Sequence, residues 1–514
     1  MKKLALVTSV VVAGLVGSVV APTASAEEAA RPAAGTIDWS PCPDNDPILG
    51  PMLKGLECGS LQVPLDHADP GGRKITLELT RARHTAPDSE YQGAVLLNRG
   101  QWPGGIGRDL PTRYAQGTTG LAEDVGAAYD WIGFDPRGVG ASEPAVVCDS
   151  DYVYPGHAQP DPVPATPAAE QEWVDRARAY AESCDDEYGD VLEHLSTEDA
   201  ARDLDLIRVA LGQDKITYFG TDWGTYLGSV YASMYPNRVA RMVLDSVVRP
   251  SGVGYRNSLA KNVTSERNAG FFFAWVAKYD HVYHLGTTEA EVEANYYKGQ
   301  DALRAAPLDG KIGPSEWADF FEPVVYRDWV WISRAEVLSD WVVRNDPTSL
   351  RAGYWPPGFP HQNRHAMTNA VNCTDGPWPR DWDRWHSDLS RQYDAGNRFL
   401  TWTNAWYSAP CAFWPAPAKK PQKVGNGKVD VLLVQPQFDN AHGVVGAFET
   451  HALFRNSRLV LEKGGHNVGA ALSANNNTCL NDYVGDYLRD GTRPASRWGV
   501  DAVCQASPDP VPAS

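Results

Sequence analysis

The sequence predicts an α/β fold: a mostly parallel sheet flanked by helices, with a large, mainly helical lid inserted after the sixth core strand. Short apolar runs that end near Gly, Asp or Pro recur along the chain, which is typical of strands buried on both faces. A helix between two of these runs indicates a parallel crossover. From residue 251 to about residue 425 the runs disappear.

Six apolar runs predict the core strands: 94–98, 131–134, 216–219, 242–244, 431–434 and 459–461. Between the second and third lies the predicted helix. Ser196 and Asp199 form its N-terminal capping box and Gly212 ends it. Its buried face is predicted to contain Leu204, Ile207 and Leu211.

The predicted lid, residues 251–424, carries twelve of the eighteen Trp and nine of the twenty-two Tyr. The α/β core then consists of residues 27–250 and 425–514. A net charge of −18 argues against nucleic acid as a partner, because a phosphate backbone is bound by positive charge.

The first 26 residues have the pattern of a signal peptide. Lys2 and Lys3 precede an apolar stretch, and Ala24-Ser25-Ala26 is typical of a cleavage site. We expect cleavage after Ala26 and a secreted product without membrane attachment. No other stretch approaches the ~20 apolar residues of a membrane span.

Export gives the eight cysteines a meaning, because an even count in an oxidising compartment predicts four disulfides. Eight cysteines allow about 105 connectivities. Pairing of sequence neighbours is one of them: 42–58, 148–184, 373–411 and 479–504. No Cys-x-x-Cys pair supports a zinc site, and we expect neither a metal nor an organic cofactor.

The strongest chemical signal is the turn after the run at 216–219. Gly220-Thr221-Asp222-Trp223-Gly224 leads from a strand into a helix with the layout of a nucleophile elbow, small-x-nucleophile-x-small. The side chain at the centre is Asp222. A carboxylate is a poor nucleophile for amide cleavage but can attack an sp³ carbon that bears a strained oxygen or a halide, forming an ester. The alternative is that Asp222 only caps the following helix.

The remaining catalytic groups are expected later in the chain, in the order nucleophile, acid, base. Asp439 follows the run at 431–434 and is the predicted acid. His466, in a Gly-flanked loop after the run at 459–461, is the predicted general base that activates water. Two alternatives stay open. His442 lies three residues past Asp439 and is expected on the surface, and Asp245 is a second possible acid.

An oxyanion hole is expected beside Asp222. Trp223 offers its backbone N–H, and a second donor is expected from Gln101 or Trp102 in the Gly-rich loop 98–107.

These residues are similar to the α/β-hydrolase superfamily. The scaffold resembles secreted tripeptidyl-aminopeptidase and proline-iminopeptidase-like hydrolases over residues 39–504. The resemblance rests on the loop 98–107, the segments 135–142, 224–228 and 370–375, and the last two cysteines. In that group the elbow reads G-x-S-Y-G, with Ser and Tyr where this chain has Asp222 and Trp223.

Asp222-Trp223-Gly224 instead resembles the elbow of epoxide hydrolases and haloalkane dehalogenases. The segment 100–104 is similar to the H-G-x-P loop of epoxide hydrolases, with one extra residue and with Arg99 in place of His. This resemblance implies a secreted epoxide hydrolase that forms a vicinal diol from a small apolar epoxide.

In epoxide hydrolases lid tyrosines protonate the epoxide oxygen. The candidates here are Tyr255, Tyr279, Tyr283, Tyr296, Tyr297, Tyr326, Tyr354, Tyr393 and Tyr407. Halide release would instead need N–H donors, for which Trp223 and either Trp102 or Gln101 are available. The alternatives are a haloalkane dehalogenase, a tripeptidyl-aminopeptidase-like hydrolase with an altered nucleophile, and a catalytically inactive binding homologue. The sequence leaves the oligomeric state open.

Overall fold

The computed structural model describes residues 35–100, 103–354, 358–472 and 477–513. Within these residues ten strands form one sheet. They are β1 (Ser40–Pro41), β2 (Glu57–Pro64), β3 (Lys74–Ala82), β4 (Ala94–Asn98), β5 (Asp130–Phe134), β6 (Ile216–Thr221), β7 (Val239–Asp245), β8 (Val431–Pro436), β9 (Arg458–Lys463) and β10 (Ala502–Gln505).

The strands lie in the order β1-β2-β3-β5-β4-β6-β7-β8-β9-β10. Pairing is antiparallel from β1 to β3 and between β3 and β5, and every later pair is parallel. The six predicted runs lie in β4 to β9, so the prediction of a mostly parallel sheet is confirmed. Ligands of such sheets bind at the carboxyl ends of the strands, where the predicted site residues lie.

The helices among the described residues flank the sheet or form the lid. They are α1 (Leu110–Ala115), α2 (Glu123–Ala127), α3 (Ser150–Val153), α4 (Pro167–Leu192), α5 (Thr197–Ala210), α6 (Trp223–Met234), α7 (Tyr255–Lys278), α8 (Asp280–Tyr283), α9 (Glu289–Ala305), α10 (Pro314–Phe321), α11 (Trp331–Val342), α12 (Thr348–Gly353), α13 (Phe359–Asp375), α14 (Trp382–Asp394), α15 (Thr401–Ser408), α16 (Val444–Leu453) and α17 (Thr478–Asp490).

The predicted crossover helix is α5. The side chain of Ser196 accepts a hydrogen bond from the backbone N–H of Asp199, as a cap should, and α5 packs on α6 beside the sheet.

Helices α7 to α15 form the lid between β7 and β8. This insertion follows the seventh strand in chain order, or the sixth if the two-residue β1 is set aside. Helices α7 to α11 bury their own apolar cluster around Phe272, Trp317 and Trp331. In contrast, α13 to α15 pack against the same cluster as the sheet. The second half of the lid therefore shares the apolar cluster of the core, whereas the first half has one of its own.

Four disulfides are present, and their pairing is that of sequence neighbours: Cys42–Cys58, Cys148–Cys184, Cys373–Cys411 and Cys479–Cys504. In the described part of the chain, the helices are too short or too polar to cross a membrane. The predicted signal peptide and its cleavage site lie outside the described residues.

Candidate active site

Asp222 stands in the turn between β6 and α6 with a backbone conformation that is rare for a residue other than glycine, φ 55° and ψ −127°. Its N–H donates to the carbonyl of Asp245, at 3.1 Å. Its carbonyl accepts from the backbone N–H of Thr225 at 2.9 Å and from the hydroxyl of Thr225 at 2.7 Å. The Asp222 side chain makes no capping bond to α6 and lines a cavity instead. This geometry is that of a nucleophile elbow and argues against a mere helix cap.

Glycines allow the elbow to pack this closely. A Cβ on Gly224 would lie 2.5 Å from the backbone oxygen of Asn98 in β4, and one on Gly220 would lie 2.5 Å from the Gly224 oxygen. Gly100 approaches from the other side, where a Cβ would lie 2.5 Å from the backbone nitrogen of Trp223. Gly100, in the predicted Gly-rich loop, therefore packs against the turn that carries Asp222.

The imidazole that contacts Asp222 belongs to His442, whose Nε2 is hydrogen-bonded to Asp222 Oδ1. The His442 side chain is 9% exposed, so the expectation that it lies on the surface is wrong. Burial lowers the pKa of His442, but the Asp222 charge and hydrogen bond, helped by Asp439, raise it above its ordinary value. His442 and Asp222 thus form a buried pair at the elbow.

Asp439 lies at the site, as predicted, and is fully buried. Its Oδ1 accepts the backbone N–H of His442 at 2.8 Å, so it holds the His442 turn by the main chain. Burial raises the pKa of Asp439, while the nearby His442 and the hydroxyl of Ser246 act in the opposite direction. The alternative acid, Asp245, supports the elbow backbone, because its carbonyl accepts the N–H of Asp222. Among the described residues, its carboxylate makes no hydrogen bond to the His442 ring.

His466, the predicted base, lies elsewhere. Its ring stacks on that of Trp331, with centroids 5.0 Å apart and planes 1° apart. Its Nε2 lies 3.7 Å from an Asp328 oxygen and 3.9 Å from an Asp509 oxygen. Within the described residues no hydrogen bond joins it to Asp222 or Asp439. The geometry therefore favours His442 over His466 as the base, and this corrects the prediction.

The reason lies in the turn after β8. The N–H of Phe438 donates to the Gly465 carbonyl, at 2.7 Å, which ties this turn to the loop of His466. The turn then brings His442 back over the elbow. The only sequence signal was the spacing Asp-x-x-His after a strand end.

Asp328, His466 and Asp509 are the one group in the described ranges whose ligand atoms lie close enough, within 4.8 Å, to hold a metal ion. None of the three lines the cavity at Asp222.

The predicted oxyanion hole is described in part. Trp223 begins α6 and its backbone nitrogen lies beside Gly100. Gln101 and Trp102 lie outside the described residues. The indole N–H of Trp223 donates to the hydroxyl of Thr197, at 3.2 Å, so it is engaged in the protein and does not serve as the predicted halide donor.

A cavity of about 470 Å³ opens in front of Asp222. This volume suits a small organic molecule. Its wall comes from the lid and from the segment 152–162 of the N-terminal half. Aromatic rings are mixed with charged groups in the wall, so the pocket is less apolar than a hydrocarbon substrate would require. The charged lining residues besides Asp222 are Lys261, Asp319, Glu322, Arg334 and Arg364.

Of the nine lid tyrosines proposed from the sequence, Tyr326, Tyr354 and Tyr407 line the cavity. The hydroxyl of Tyr326 is buried and makes no hydrogen bond to a described residue. Burial, followed by the negative charges of Glu322 and Asp222, raises its pKa well above the usual value. Tyr326 is therefore a neutral phenol near Asp222.

Lys261 of α7 completes this cluster. Its ammonium lies 5.2 Å from the centroid of the Tyr326 ring. Burial lowers its pKa to about 8, against the opposing charges of Glu322 and Asp222. Sequence reasoning missed Lys261, because a single Lys within a helix carries no signal of burial.

Comparison with known proteins agrees with this architecture. The family model for the alpha/beta hydrolase fold matches residues 101–280, and the model for TAP-like proteins matches residues 397–504. The tripeptidyl aminopeptidase of Streptomyces lividans is 38% identical over 496 residues, covering 94% of this chain and 89% of that protein. The serine protease Hip1 of Mycobacterium tuberculosis is 29% identical over 491 residues, covering 90% of each.

Among solved structures, the proline iminopeptidase of Mycobacterium smegmatis matches 84% of this chain and 98% of its own, with 13% identity and a TM-score of 0.36. That similarity is too low to bear on activity.

Proposed function

The chain belongs to the tripeptidyl aminopeptidase-like family of α/β-hydrolases, and from that premise we propose that it opens an epoxide to a vicinal diol through an ester on Asp222. The observation that carries this proposal is the Asp222 carboxylate itself. It stands at the elbow, touches a buried imidazole and faces a cavity that holds a neutral phenol.

In the first step a carboxylate oxygen of Asp222 attacks an epoxide carbon. The carbon–oxygen bond of the ring breaks, and its electron pair goes to the oxygen. That oxygen takes the proton of a lid phenol, for which Tyr326 is best placed. The products are a hydroxyalkyl ester of Asp222 and a tyrosinate, which the neighbouring Lys261 ammonium stabilises.

In the second step His442 takes a proton from water and the hydroxide adds to the ester carbonyl. The ester bond to the alkyl oxygen breaks, and the departing alkoxide takes the proton of the carboxylic acid, which releases the diol. The proton on His442 returns to the tyrosinate, so that the enzyme ends in its starting state. The oxyanion is proposed to be stabilised by the backbone N–H of Trp223 and by the second donor expected from the loop 98–107.

The pair of Asp222 and His442 explains how one histidine serves both states. In the free enzyme the Asp222 charge raises the pKa of His442. Ester formation removes that charge, so the pKa of His442 falls and the ring becomes an effective base when the base is needed.

Dehalogenation has less support, because the Trp223 indole N–H is hydrogen-bonded to Thr197 and is not directed at a leaving halide. The similarity to tripeptidyl aminopeptidases favours a second candidate, a homologue that retains peptide binding but not cleavage. Attack of a carboxylate on an amide would give an unstable anhydride, so catalysis of peptide cleavage is not proposed.

We also propose that the protein acts outside the cell. The signal-peptide pattern in residues 1–26 and the four disulfides support this location.

The test compares His442→Gln with the matched variant His466→Gln, each exposed to a panel of alkyl and aryl epoxides and of haloalkanes. Removal of a general base lowers turnover by about 10²–10⁴-fold. We expect that loss in His442→Gln, together with an intact-mass increase equal to the whole epoxide, mapped to Asp222. We expect turnover by His466→Gln to stay close to that of the wild type, with no adduct.

Accumulation of the ester in His466→Gln instead would overturn the role of His442 while keeping that of Asp222. An alkyl adduct without halogen, formed from a haloalkane, would move the assignment to dehalogenase. Absence of any adduct, with the wild type silent toward every epoxide and able to bind tripeptides, would overturn the proposal in favour of the second candidate.

A further inference from the structure

The charges of the cavity do not balance within the protein. Asp222 is paired with His442, and Glu322 lies beside Lys261 and Tyr326. Asp319 opens into the cavity, and burial raises its pKa to about 8, so its carboxyl is largely neutral at pH 7. Arg334 and Arg364 also line the cavity, and within the described residues no ion pair joins either of them to a carboxylate.

The fully buried arginines Arg108 and Arg137 each form an ion pair with a buried aspartate. Arg364 is only partly buried and faces the cavity without such a partner within the described residues. A guanidinium in this position is a ready partner for a carboxylate supplied by a ligand.

The two cavity arginines differ in what else they do. Arg334 donates from Nε to the Phe320 carbonyl at 2.8 Å, and its guanidinium lies 4.0 Å from the centroid of the Phe320 ring. Arg334 of α11 thus has a structural role, since it binds the C-terminal end of α10. The side chain of Arg364 lies near Tyr407, where its charge opposes the rise in the Tyr407 pKa that burial causes.

Arg364 lines the same cavity as Asp222. Its backbone packs on Gly104, where a Cβ would lie 2.7 Å from the Arg364 oxygen. Gly104 belongs to the same loop as Gly100, which touches the elbow.

The other titratable neighbours of Arg364 do not neutralise it. Burial lowers the pKa of His361, and burial lowers that of His365 to about 3, so both rings are neutral near pH 7. The guanidinium keeps its charge under all such conditions.

We propose that the substrate carries a carboxylate group and that Arg364 binds it while the epoxide lies against Asp222. The planar guanidinium fork matches a carboxylate with two parallel hydrogen bonds. This inference rests on the proposed function for the epoxide, whereas the carboxylate subsite is a property of the cavity alone. The substrate class is then an epoxide of an organic acid.

The test measures binding without chemistry. Phenylacetate and its uncharged analogue phenylacetamide are titrated into the full-length protein by calorimetry, with wild type, Arg364→Gln, Arg364→Lys and Arg455→Gln. Arg455 is the matched control, because it is exposed, lies off the cavity and has no ion pair within the described residues. A charge-assisted pair of this kind corresponds to about a tenfold preference for the acid in the wild type.

We expect Arg364→Gln to abolish that preference, Arg364→Lys to keep part of it, and Arg455→Gln to leave it unchanged. Equal binding of acid and amide by the wild type, or a preference that survives Arg364→Gln, would overturn the proposal. If the subsite exists, Asp222→Asn still binds phenylacetate more tightly than phenylacetamide. A failure of the epoxide chemistry is therefore distinguishable from a failure of the subsite.

Discussion

Asp245 shows how much a single buried carboxyl can shape the behaviour of this protein. It ends β7, is completely buried, and accepts the backbone N–H of Ala471 on Oδ2 at 2.8 Å. Its Oδ1 has no hydrogen-bond partner in the described ranges. Burial raises the pKa of Asp245 to about 8, with Glu462 and Asp439 adding to the effect against the N–H groups of Ala471 and Ala470.

The folded chain therefore holds this proton more tightly than the unfolded chain, in which an Asp has a pKa of about 3.9. The resulting stability is fully present at low pH and is lost as pH rises through about 8. We expect Asp245→Asn to remove this loss. Between pH 4 and pH 9 the free energy of unfolding of the wild type should therefore fall by roughly 2–5 kcal/mol more than that of the variant. Urea unfolding at the two pH values measures it, and Asp482→Asn, an exposed change of the same chemistry on α17, is the control. Parallel pH profiles of wild type and Asp245→Asn would contradict the prediction.

Residue by residue, the site was predictable where the backbone dictates the chemistry. Asp222 and Asp439 follow buried strands, and their positions at the carboxyl edge of the sheet come from that fact alone. The choice between His442 and His466 depends on how two loops fold over each other, which is visible in the bond from Phe438 to Gly465. Tyr326 and Arg364 face the cavity because of helix packing in the lid, and no local pattern encodes that packing.

At the scale of elements, the elbow depends on the contact between the first turn of α6 and β4. A Cβ on Gly224 would lie 2.5 Å from the Asn98 backbone oxygen, and β4 cannot move away because it is paired on both sides, with β5 and β6. We expect Gly224→Ala to lower the free energy of unfolding by at least about 2 kcal/mol, as overpacking of a rigid site does.

Gly126→Ala in α2 is the matched control, since nothing lies within 4 Å of the added Cβ. Alanine is favoured over glycine in a helix, so this change should be neutral or stabilising by about 0.5–1 kcal/mol. Thermal unfolding of both variants checks the pair of predictions. Equal melting temperatures for Gly224→Ala and the wild type would show that the elbow tolerates a methyl group.

The elements themselves were predictable to different degrees. Strands β4 to β9 are recognisable from continuous apolar runs, because both faces of a parallel sheet are covered. The antiparallel edge formed by β1, β2 and β3 was not predicted. Its strands alternate buried and exposed residues, and that pattern is easily masked in one sequence by polar residues such as those of β2.

At the scale of the whole molecule, the cavity is formed by the segment 152–162 together with residues from both halves of the lid. Helices α13 and α15 supply seven of its lining residues: His361, Arg364, His365, Thr403, Asn404, Trp406 and Tyr407. These two helices pack into the same apolar cluster as the sheet, whereas α7 to α11 pack mainly on one another. The shape of the substrate site therefore depends on how firmly α13 and α15 are joined.

The disulfide Cys373–Cys411 makes that join, from the last turn of α13 to the segment directly after α15, across 38 residues. Cross-linking a loop of this length stabilises the folded state by about 3–4 kcal/mol through the unfolded chain. We expect the double change Cys373→Ser and Cys411→Ser to lower the free energy of unfolding by that amount and also to weaken phenylacetate binding.

The matched control is the double change Cys42→Ser and Cys58→Ser at the β1–β2 edge of the sheet, away from the cavity. Its shorter loop predicts a loss of about 3 kcal/mol and no change in binding. Urea unfolding measures the stability of the two double variants, and calorimetric titration measures their phenylacetate binding, with the remaining disulfides left intact. Equal binding by both would mean that packing against the sheet alone fixes α13 and α15, and that the disulfide contributes to stability without shaping the site.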